Sequence, residues 1–359
     1  MSRPGLEEAR AVASAWGLAD DVAAAPVTTG HVNESFRVAA GGRALLLQWL
    51  NPEAFADPDA VQDNVERVAR HLAAAAPALP RPELRATVDG PFRYRTGSGL
   101  WRAWGWLDGS RTLTRVDGPD RAAAAGTAFG RFLRALEGLP PTALARTLPA
   151  FQDPGRRLRE LDAALEGAAR ARREEAAPLL RAVEARRDHV APLAGPLRVL
   201  HGDPKLSNVL FPEAPGPGAS GPAATGSIAT GPTVIDYDTI LVGPLAWDFG
   251  DFLRSTAARG EEDEPQAAGV DPVLLEAAAA AFLAAAPAPA REETGELARA
   301  PAVIAFTLAL RFLADHLAGD RYFRVRCPGQ NLDRARTQLR LADDFAAQEA
   351  RLRSRVERA

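Results

Sequence analysis

The segment that decides the interpretation of this chain lies at residues 200–211 and reads Leu200-His201-Gly202-Asp203-Pro204-Lys205-Leu206-Ser207-Asn208-Val209-Leu210-Phe211. Apolar residues flank a polar core with the pattern Asp-x-Lys-x-x-Asn, which begins at Asp203. This spacing is typical of phosphoryl transfer from a nucleotide to a hydroxyl, in which a carboxylate orients the hydroxyl, a lysine meets the phosphate and an amide oxygen holds a metal ion. A polar turn between two strands is the alternative, although a turn requires neither the lysine nor the spacing.

Lys205 is the only lysine in the chain, and the remaining strongly basic residues are all arginine. A lysine retained in such a composition indicates a position where a compact ammonium serves better than the wide fork of a guanidinium. Chance retention is the alternative. We therefore assign the catalytic roles to Asp203, which would orient and deprotonate the acceptor hydroxyl, and to Lys205, which would neutralise charge on the transferred group.

A second carboxylate follows the next predicted strand, because Thr233-Val234-Ile235 delivers Asp236 into a loop. A hairpin can bring this loop beside the one that carries Asn208. Magnesium is held in proteins by one or two oxygen ligands together with substrate phosphates. The sequence therefore predicts that Asn208 and Asp236 hold Mg²⁺ and that the metal bridges the phosphates of ATP.

The tripeptide Asp248-Phe249-Gly250 resembles a metal-binding signature of protein kinases, but it opens a predicted helix. Asp236 instead follows an apolar strand, as a metal-binding carboxylate in this arrangement should. We therefore expect Asp248 and Asp251 to fix the loop and cap the helix. His201, Asp238 and Asp248 are assigned to structural positions near the site.

The composition excludes several classes of partner. The net charge is −3 and the pI is about 6.0, which argues against nucleic acid or an anionic membrane as the main partner. Cys327 is the only cysteine, so an intrachain disulfide and a zinc cluster are not expected. The N-terminus lacks an apolar signal core, and no run of about 18 apolar residues appears. A cytoplasmic location is the expectation.

The first hundred residues are predicted to be rich in strands. The segment 27–38 reads as strand, polar loop and strand, and Gly41-Gly42 predicts a hairpin turn before a third strand at 44–50. The loop around Gly30 can lie over phosphates or a substrate, with a plain turn as the alternative. A Trp-rich strand at 100–109 ends in Asp-Gly and fits a hinge between lobes.

From about residue 110 the pattern becomes helical. Small residues at Gly126, Ala128 and Gly130 indicate close helix packing. The run Glu261 to Glu264 is expected to be a solvated loop, with a metal or substrate role as the alternative. Residues 213–232 are rich in Gly, Pro, Ala and Ser without an apolar period, so a disordered insert is predicted there.

These residues resemble the aminoglycoside phosphotransferase/choline kinase-like superfamily, whose pattern is His-Gly-Asp-x-x-x-x-Asn, then Ile-Asp at a strand end, then a Tyr- or Trp-Asp-Phe segment. Within it the chain looks most like the N-acetylhexosamine 1-kinases. The segments that carry this likeness are Gly30 to Phe36, Leu47 to Asn51, Trp101-Arg102, Phe151 to Asp153, Asp203 to Phe211, Ile235 to Thr239, Asp248 to Asp251, Arg311 to Leu313 and Gly319 to Phe323.

The resemblance implies an α+β, two-lobed protein-kinase-like fold with a small β-rich N-lobe, residues 1–105, and a larger, mainly helical C-lobe, residues 106–359. It implies ATP and Mg²⁺ as cofactors and phosphorylation of a sugar at its anomeric hydroxyl. His31, Asn33, Arg311 and Tyr322 are expected to bind the substrate. The nucleotide is expected to contact the four residues Gly30, Gln48, Trp104 and Trp106. Core packing is the alternative for the two tryptophans.

One departure from the family is that the N-lobe strand carries Gln48 where a lysine usually reaches the nucleotide phosphates. Gln48, Arg43 or an N-lobe loop would have to substitute, or Lys205 and magnesium would carry more of the charge. Two alternatives stay open: an aminoglycoside, amino alcohol or different sugar as the acceptor, and a catalytically silent nucleotide-binding module. The sequence does not determine the oligomeric state.

Overall fold

The computed structural model describes residues 3–28, 32–149, 151–187, 190–213 and 231–359. Most of the predicted disordered insert, residues 214–230, lies outside them. The chain divides into two compact units. Unit 1 consists of Met1–Leu113, Thr142–Thr147 and Asn208–Ile240, and unit 2 of Thr114–Pro141, Leu148–Ser207 and Leu241–Ala359. The predicted domain boundary after residue 105 stays a prediction.

Unit 1 is built on antiparallel β-structure. Its strands are β1 (Ala23–Pro26), β2 (Glu34–Ala40), β3 (Arg43–Trp49), β4 (Leu84–Arg85), β5 (Tyr94–Thr96), β6 (Gly99–Gly105), β7 (Ser110–Thr112), and, after a strand of unit 2, β9 (Val209–Pro212) and β10 (Thr233–Val234). The larger sheet has the order β1-β2-β3-β6-β4, with β5 also paired to β6, and a smaller sheet has the order β10-β9-β7.

The β2–β3 hairpin shows why the sheet forms where the sequence predicts it. Gly41 and Gly42 both have positive φ, as a two-residue hairpin turn requires, and Ala40 pairs with Arg43 across it. Alternate residues of β3 then face opposite sides of the sheet. Leu47 and Trp49 enter a core that is covered by helix α1 (Leu6–Ala13). Helix α2 (Pro58–Ala75) also belongs to this unit.

Unit 2 is mainly helical. Its helices are α3 (Pro119–Ala135), α4 (Pro154–Gly167), α5 (Arg170–Glu184), α6 (Leu245–Thr256), α7 (Pro272–Ala285), α8 (Thr294–Ala318), α9 (Gln330–Ala347) and α10 (Glu349–Glu357). A two-stranded ladder joins β8 (Leu197–Leu200) to β11 (Leu241–Pro244). The prediction of an α+β protein with a strand-rich first part and a helical second part is therefore confirmed.

Helix α8 is the longest of the helices described in unit 2. Together with the short turn before it, it is long and apolar enough to cross a membrane by length and composition, but 72% of its apolar window is buried inside the protein. A core helix has the same features. Asp315 and His316 near its end are buried as well.

Helices α3 and α7 approach closely because α3 carries glycine at the contact. A Cβ on Gly130 would lie 2.7 Å from the Phe282 carbonyl oxygen, and one on Gly126 would lie 2.6 Å from the Ala278 carbonyl oxygen. Both contacts are closer than real Cβ atoms allow, and the partner atoms belong to the backbone. The close packing predicted from the small-residue pattern is therefore confirmed.

We expect Gly130→Ala to lower the free energy of unfolding by about 1–3 kcal/mol, because the helices must separate to admit the methyl group. The matched control is Gly167→Ala, at the end of α4, where a Cβ would meet nothing within 4 Å. That variant should change the free energy of unfolding by less than about 0.5 kcal/mol. Urea unfolding measures both, and equal values for the two variants would contradict the packing argument.

Candidate active site

The segment around Asp203 lies in unit 2 and follows strand β8 directly. The ladder with β11 fixes the strand up to Leu200, which pairs with Leu241. Gly202 has a φ of 84°, so the chain turns sharply there without the steric cost that a side chain would add. The loop therefore leaves the ladder at a defined point and in a defined direction.

His201 anchors this loop in the core of unit 2. Its side chain is fully buried, and its ring lies edge-on to Phe129 and Phe132 of α3, with centroid distances of 5.5 and 5.6 Å. Its Nδ1 accepts the backbone N–H of Asp203 at 3.3 Å. The imidazole thus orients the residue two positions ahead of it.

Asp248 holds the same loop from the first turn of α6. Its Oδ2 accepts the N–H of His201 at 2.8 Å, and its Oδ1 accepts the N–H of Gly202 at 3.0 Å. Its side chain does not cap the helix, whose N-cap residue is Pro244. Burial raises the pKa of Asp248 to about 7, although the two backbone hydrogen bonds favour the charged form.

Asp203 and Lys205 form an ion pair within this loop. Lys205 Nζ donates to Asp203 Oδ2 at 2.6 Å, and a quarter of the Asp203 side chain is exposed to solvent. Burial acts to raise the pKa of Asp203, but the Lys205 ammonium outweighs it and the pKa lies below its ordinary value. The backbone N–H of Leu206 donates to Ser255 Oγ of α6, so both ends of the pair are anchored.

The charges of Arg254 and Glu262, also in unit 2, interact with the Asp203–Lys205 pair. Arg254 is bound to Asp251 at 2.7 Å, and Glu262 lies 3.6 Å from Arg334. The Glu262 side chain is 44% exposed, yet crowding by neighbouring atoms raises its pKa, partly offset by the two arginines. Since Glu262 also senses the charge of Asp203, it belongs to the surroundings of the catalytic loop rather than to a remote solvated surface.

The predicted metal residues lie in unit 1, at one end of the β9–β10 ladder. Val209 pairs with Val234, and the Ile235 N–H donates to the Asn208 carbonyl at 2.9 Å. This register brings Asn208 next to the residue that precedes Asp236. Asp236 has φ 67° and ψ 70°, a left-handed conformation that is uncommon for residues with a side chain and is often associated with functional sites.

The donor chemistry fits magnesium. Asn208 and Asp236 offer an amide oxygen and a carboxylate, and Mg²⁺ prefers few protein oxygen ligands together with phosphates and water. Among the described residues no group of three or more His, Cys, Asp or Glu side chains could hold a metal by itself. A metal in this unit would therefore depend on a bound nucleotide for its remaining ligands.

The Asp238 carboxylate is held in unit 1 by two side chains, those of Arg102 and Asn33. Arg102 Nη2 lies 2.5 Å from its Oδ1, and Asn33 Nδ2 donates to its Oδ2 at 2.5 Å. Asn33 Oδ1 in turn accepts the N–H of Asn51 at 3.1 Å. Both ends of the Asn33 amide are thus engaged within the protein, as expected of a residue that fixes the loop before β2.

Gln48 is also engaged. Its Oε1 accepts hydrogen bonds from Arg102 Nε, Arg102 Nη2 and Trp104 Nε1 at 2.8–3.1 Å, and its Nε2 donates to Ser35 Oγ. Trp104 is buried and packs edge-on against Tyr237, whereas Trp106 lies under the Arg37 guanidinium at 5.3 Å. The predicted nucleotide residue Gly30 and the predicted substrate residue His31 lie outside the described residues.

Arg311 and Tyr322 are brought together in unit 2. The Arg311 guanidinium lies 4.7 Å from the Phe151 ring centroid, 5.7 Å from Tyr322 and 5.3 Å from Phe323. Tyr322 is 61% exposed. Asp315 supports this cluster by accepting the backbone N–H groups of residues 321–323.

Sequence reasoning missed four residues that contact these groups: Arg102, Ser255, Arg254 and Glu262. Arg102 and Trp104 are two positions apart along β6, so strand periodicity could have placed both on one face of the sheet. Arg254 and Ser255 follow Asp251 by three and four residues, which is about one helical turn of α6. Glu262 had no sequence signal beyond the acidic run in which it lies.

Comparison with known proteins gives one family. The sequence profile of the phosphotransferase enzyme family (APH) matches residues 23–279. A microcompartment-associated aminopropanol kinase has a similar structure, with 14% identity, 96% of this chain and 98% of that chain covered, and a TM-score of 0.62.

Two further phosphotransferases have similar structures as well. An aminoglycoside phosphotransferase from Alicyclobacillus acidocaldarius is 19% identical, with 100% of this chain and 98% of that chain covered and a TM-score of 0.58. A spectinomycin phosphotransferase, solved with ADP and spectinomycin, is 10% identical, with 97% and 99% covered and a TM-score of 0.57. At these identities the likeness establishes the fold alone, and the predicted kinase-like fold is confirmed.

The raised pKa of Asp248 predicts a pH-dependent stability. Between about pH 4 and pH 7 the folded chain binds a proton at Asp248 that the unfolded chain has released, so stability falls as pH rises through this range. Relative to Asp248→Asn, the wild type should lose up to about 4 kcal/mol of unfolding free energy between pH 4 and pH 8. Urea unfolding at several pH values measures the difference. Parallel curves would mean that the backbone hydrogen bonds keep Asp248 ionised throughout.

Two substitutions at Asp236 distinguish the role of its left-handed backbone from the role of its carboxylate. Asparagine tolerates this conformation, whereas alanine does not, so Asp236→Asn should leave the melting temperature nearly unchanged and Asp236→Ala should cost about 1–2 kcal/mol. Both should reduce kinase activity by about 100-fold or more. The control is Asp21→Ala, at an exposed residue with φ 47°, which should cost similar stability and leave activity intact. Activity retained by Asp236→Asn would contradict the metal assignment.

Proposed function

Because the chain belongs to the APH phosphotransferase enzyme family, we propose that it transfers the γ-phosphoryl group of ATP to the anomeric hydroxyl of an N-acetylhexosamine. The coarser statement, that it is a small-molecule phosphotransferase of the aminoglycoside phosphotransferase/choline kinase type, follows from the family itself. The proposal adds the phosphoryl donor, the acceptor and the roles of individual residues. A cytoplasmic location, where ATP is available as the donor, is part of it.

The observation that carries the proposal is the ion pair between Asp203 and Lys205. The ammonium keeps the carboxylate ionised near neutral pH, and a general base must be ionised to accept a proton. The anchors at His201, Asp248 and Ser255 fix the pair before any substrate binds. Such fixed charges are the main resource of enzymes that transfer phosphoryl groups, since little covalent chemistry is required of the protein.

In the proposed reaction Asp203 accepts the proton of the anomeric hydroxyl while the hydroxyl oxygen forms a bond to the γ-phosphorus. The bond between that phosphorus and the β,γ-bridging oxygen breaks, and ADP leaves with the electron pair. Lys205 neutralises charge on the phosphoryl oxygens as they move. An anomeric hydroxyl is more acidic than an ordinary alcohol, so a carboxylate with a lowered pKa suffices as the base.

Magnesium bound by Asn208 and Asp236 would supply a positive charge that neutralises the phosphate oxygens of ATP. The two residues lie at the end of one ladder, and the left-handed backbone of Asp236 fixes the direction of its carboxylate. Their part is to hold this charge in a constant position. Asn208 follows Asp203 by five residues, so the same segment of sequence supplies the base and a metal ligand.

The charge around Arg311 supports a neutral acceptor. Burial lowers the pKa of Arg157, and the charge of the nearby Arg311 lowers it further, while Glu160 offsets part of the effect. The cluster therefore holds two guanidinium groups close enough to repel each other. Aminoglycosides and amino alcohols are cations and would be repelled there. A sugar can stack on exposed Tyr322 and accept hydrogen bonds from a guanidinium.

A cationic acceptor is the second candidate, and Glu262 is the observation that favours it. This carboxylate is partly exposed and senses the charge of Asp203. The similar structures include an aminopropanol kinase and a spectinomycin phosphotransferase, whose named substrates carry amino groups. We rank this candidate second because Arg254 and Arg334 already compensate the charge of Glu262.

A screen of ATP consumption with different acceptors tests the proposal. The acceptors are N-acetylglucosamine, N-acetylgalactosamine, glucose, galactose, choline and aminoglycosides. We expect turnover with an N-acetylhexosamine and a product with phosphate on the anomeric carbon, identified by its ³¹P–¹H coupling. Turnover confined to choline or aminoglycosides would replace the proposal by its second candidate. If no acceptor in the screen leads to ATP consumption, both candidates are overturned.

Asp203→Asn should reduce kcat by about 100-fold or more while leaving KM for both substrates within a few fold, because the amide keeps the shape but cannot accept the proton. The matched control is Asp162→Asn, at an exposed surface ion pair with Arg187, which should leave kcat unchanged. Undiminished turnover of Asp203→Asn would contradict the assigned base.

Lys205→Ala should change the pH dependence as well as the rate. The ammonium is what lowers the pKa of Asp203, so its removal should raise that pKa and shift the acidic limb of the kcat–pH profile to higher pH. We also expect kcat to fall far more than acceptor affinity falls. Lys205→Arg keeps the charge and should keep the acidic limb in place. An unshifted limb in the alanine variant would show that the ion pair does not tune the base.

A further inference from the structure

The sheet of unit 1 must meet the charge of a nucleoside triphosphate without a lysine. The only lysine of the chain is Lys205, in the catalytic loop of unit 2. In protein kinases a strand lysine, ion-paired with a carboxylate, contacts the phosphates of ATP. Unit 1 has three arginines on its central strands that could take this place: Arg37 on β2, Arg43 on β3 and Arg102 on β6.

Strand alternation excludes Arg43. Along β3, Arg43 lies on the same face as Leu47 and Trp49, which enter the core under α1. Its Nη2 donates to the carbonyl of Trp16 at 3.3 Å. Gln48 lies on the opposite face. Arg43 therefore belongs to the side of the sheet that α1 covers, and the position normally occupied by lysine lies on the other side.

Gln48 does not compensate for the missing lysine by itself. It carries no charge, and its amide oxygen already accepts three hydrogen bonds, two from Arg102 and one from Trp104. Its amide nitrogen donates to Ser35. The residue at the lysine position thus acts as a hydrogen-bond acceptor that fixes a neighbouring cation.

That cation is Arg102. It pairs directly with Gln48 across β3 and β6, so its side chain lies on the same face of the sheet. It is fully buried, its Cζ lies 5.5 Å from the Trp104 ring centroid, and its Nη2 contacts Asp238 at 2.5 Å. Its Nη1 and the Asp238 Oδ1 of the same ion pair have no hydrogen-bond partner among the described residues. A buried charged donor without a hydrogen bond is costly, so Nη1 is a candidate for a ligand contact.

Asp238 completes the arrangement as the counter-ion. It follows the predicted metal ligand Asp236 by two residues, and it also accepts a hydrogen bond from Asn33 before β2. Arg102 and Asp238 therefore form a strand cation with a paired carboxylate, as the strand lysine and its carboxylate do in protein kinases. The two residues occupy other positions in the chain than the lysine and its partner. In the described part of the chain Arg37 has no ion-pair partner, and its guanidinium lies over Trp106 instead.

We propose that Arg102, fixed by Gln48 and Asp238, is the phosphate-binding cation of unit 1 and takes over the role of the missing strand lysine. Its ligand is the β- or γ-phosphate of a nucleoside di- or triphosphate. The guanidinium is fully buried without a nucleotide, so a phosphate would reach Nη1 only after the side chains that cover it move, and solvent would then screen the contact weakly. This inference rests on the proposed function in assuming a nucleotide as phosphoryl donor, but it does not depend on the identity of the acceptor.

The test compares nucleotides that differ only in their phosphates. Dissociation constants of ATP, ADP and AMP are measured without acceptor for the wild type and Arg102→Met, by isothermal titration calorimetry. We expect Arg102→Met to weaken ATP and ADP by about 10- to 100-fold and AMP by less than about threefold, since a charged hydrogen bond contributes about 1.5–3 kcal/mol. A purely structural role of Arg102 would weaken all three nucleotides by the same factor, and that result overturns the inference.

Two control variants remove the same charge from the same sheet. Arg43→Met, on the α1 face, should leave all three dissociation constants within about twofold of wild type. Arg37→Met, on the same face as Arg102, should not lose ATP selectively. Selective loss of ATP in Arg37→Met, with Arg102→Met unaffected, would assign the role to Arg37 and overturn the inference.

A charge swap keeps the test decisive even where Arg102→Met fails to fold. Gln48→Lys combined with Arg102→Met returns a cation to the lysine position, opposite Asp238. We expect the double variant to recover the preference for ATP over AMP to within about tenfold of wild type, because the new ammonium meets the same phosphates. A folded double variant, verified by its melting temperature, that binds ATP no better than AMP overturns the inference.

The wild type separates this inference from the proposed function. If the wild type binds neither ATP nor ADP, the proposed function itself fails before any variant is compared. If it binds ATP and Arg102→Met binds ATP equally well, only the role of Arg102 fails. Turnover with an unexpected acceptor changes neither result, because no acceptor is present in the titrations.

Discussion

The carboxylate of Asp248 fixes the geometry on which the catalytic loop depends. It accepts the consecutive backbone N–H groups of His201 and Gly202, at the point where the chain leaves β8. Because two adjacent backbone amides bind one rigid acceptor, the loop can continue from the strand in only one direction. His201 then transmits this direction to Asp203 through its ring nitrogen. A buried carboxylate is costly, and its position in the first turn of a helix and its two hydrogen bonds offset that cost.

The same principle operates in unit 1 with the charges reversed. There a buried guanidinium, Arg102, collects the carboxylate of Asp238 and the amide oxygen of Gln48. Asp238 in turn binds Asn33, so one ion pair connects a central strand, the segment after Asp236 and the loop before β2. In each unit a buried charge thus organises a polar segment by hydrogen bonds to several sites, which a hydrophobic contact could not do with the same directional control.

The sequence predicted the elements that local rules determine. The hairpin at Gly41-Gly42 and the close packing at Gly126 and Gly130 follow from turn chemistry and residue size, and each is confirmed. Strand β3, which the sequence predicts at 44–50, is observed at Arg43–Trp49.

The partners of the polar side chains could not be predicted in the same way. Gln48 was expected to contact a nucleotide because of its place on the strand, yet its hydrogen bonds depend on Arg102, which is 54 residues away. Asn33 was assigned to the substrate, and its amide is bound to residues at positions 238 and 51. Pairings over such distances are set by how strands and loops meet in space, and a pattern of one sequence carries no record of them.

The sequence by itself predicted the chemistry that we propose, because the order Asp203, Lys205, Asn208 and the later Asp236 offers a candidate base, a cation and two candidate oxygen ligands for a metal. Spacing along a loop is a local property and can be read directly. Only the tertiary structure decided which charges are shared: the Lys205 ammonium lowers the pKa of Asp203, and the Arg102 guanidinium is paired and enclosed. Electrostatic energy depends on distance and burial, and both are fixed only once the chain has folded.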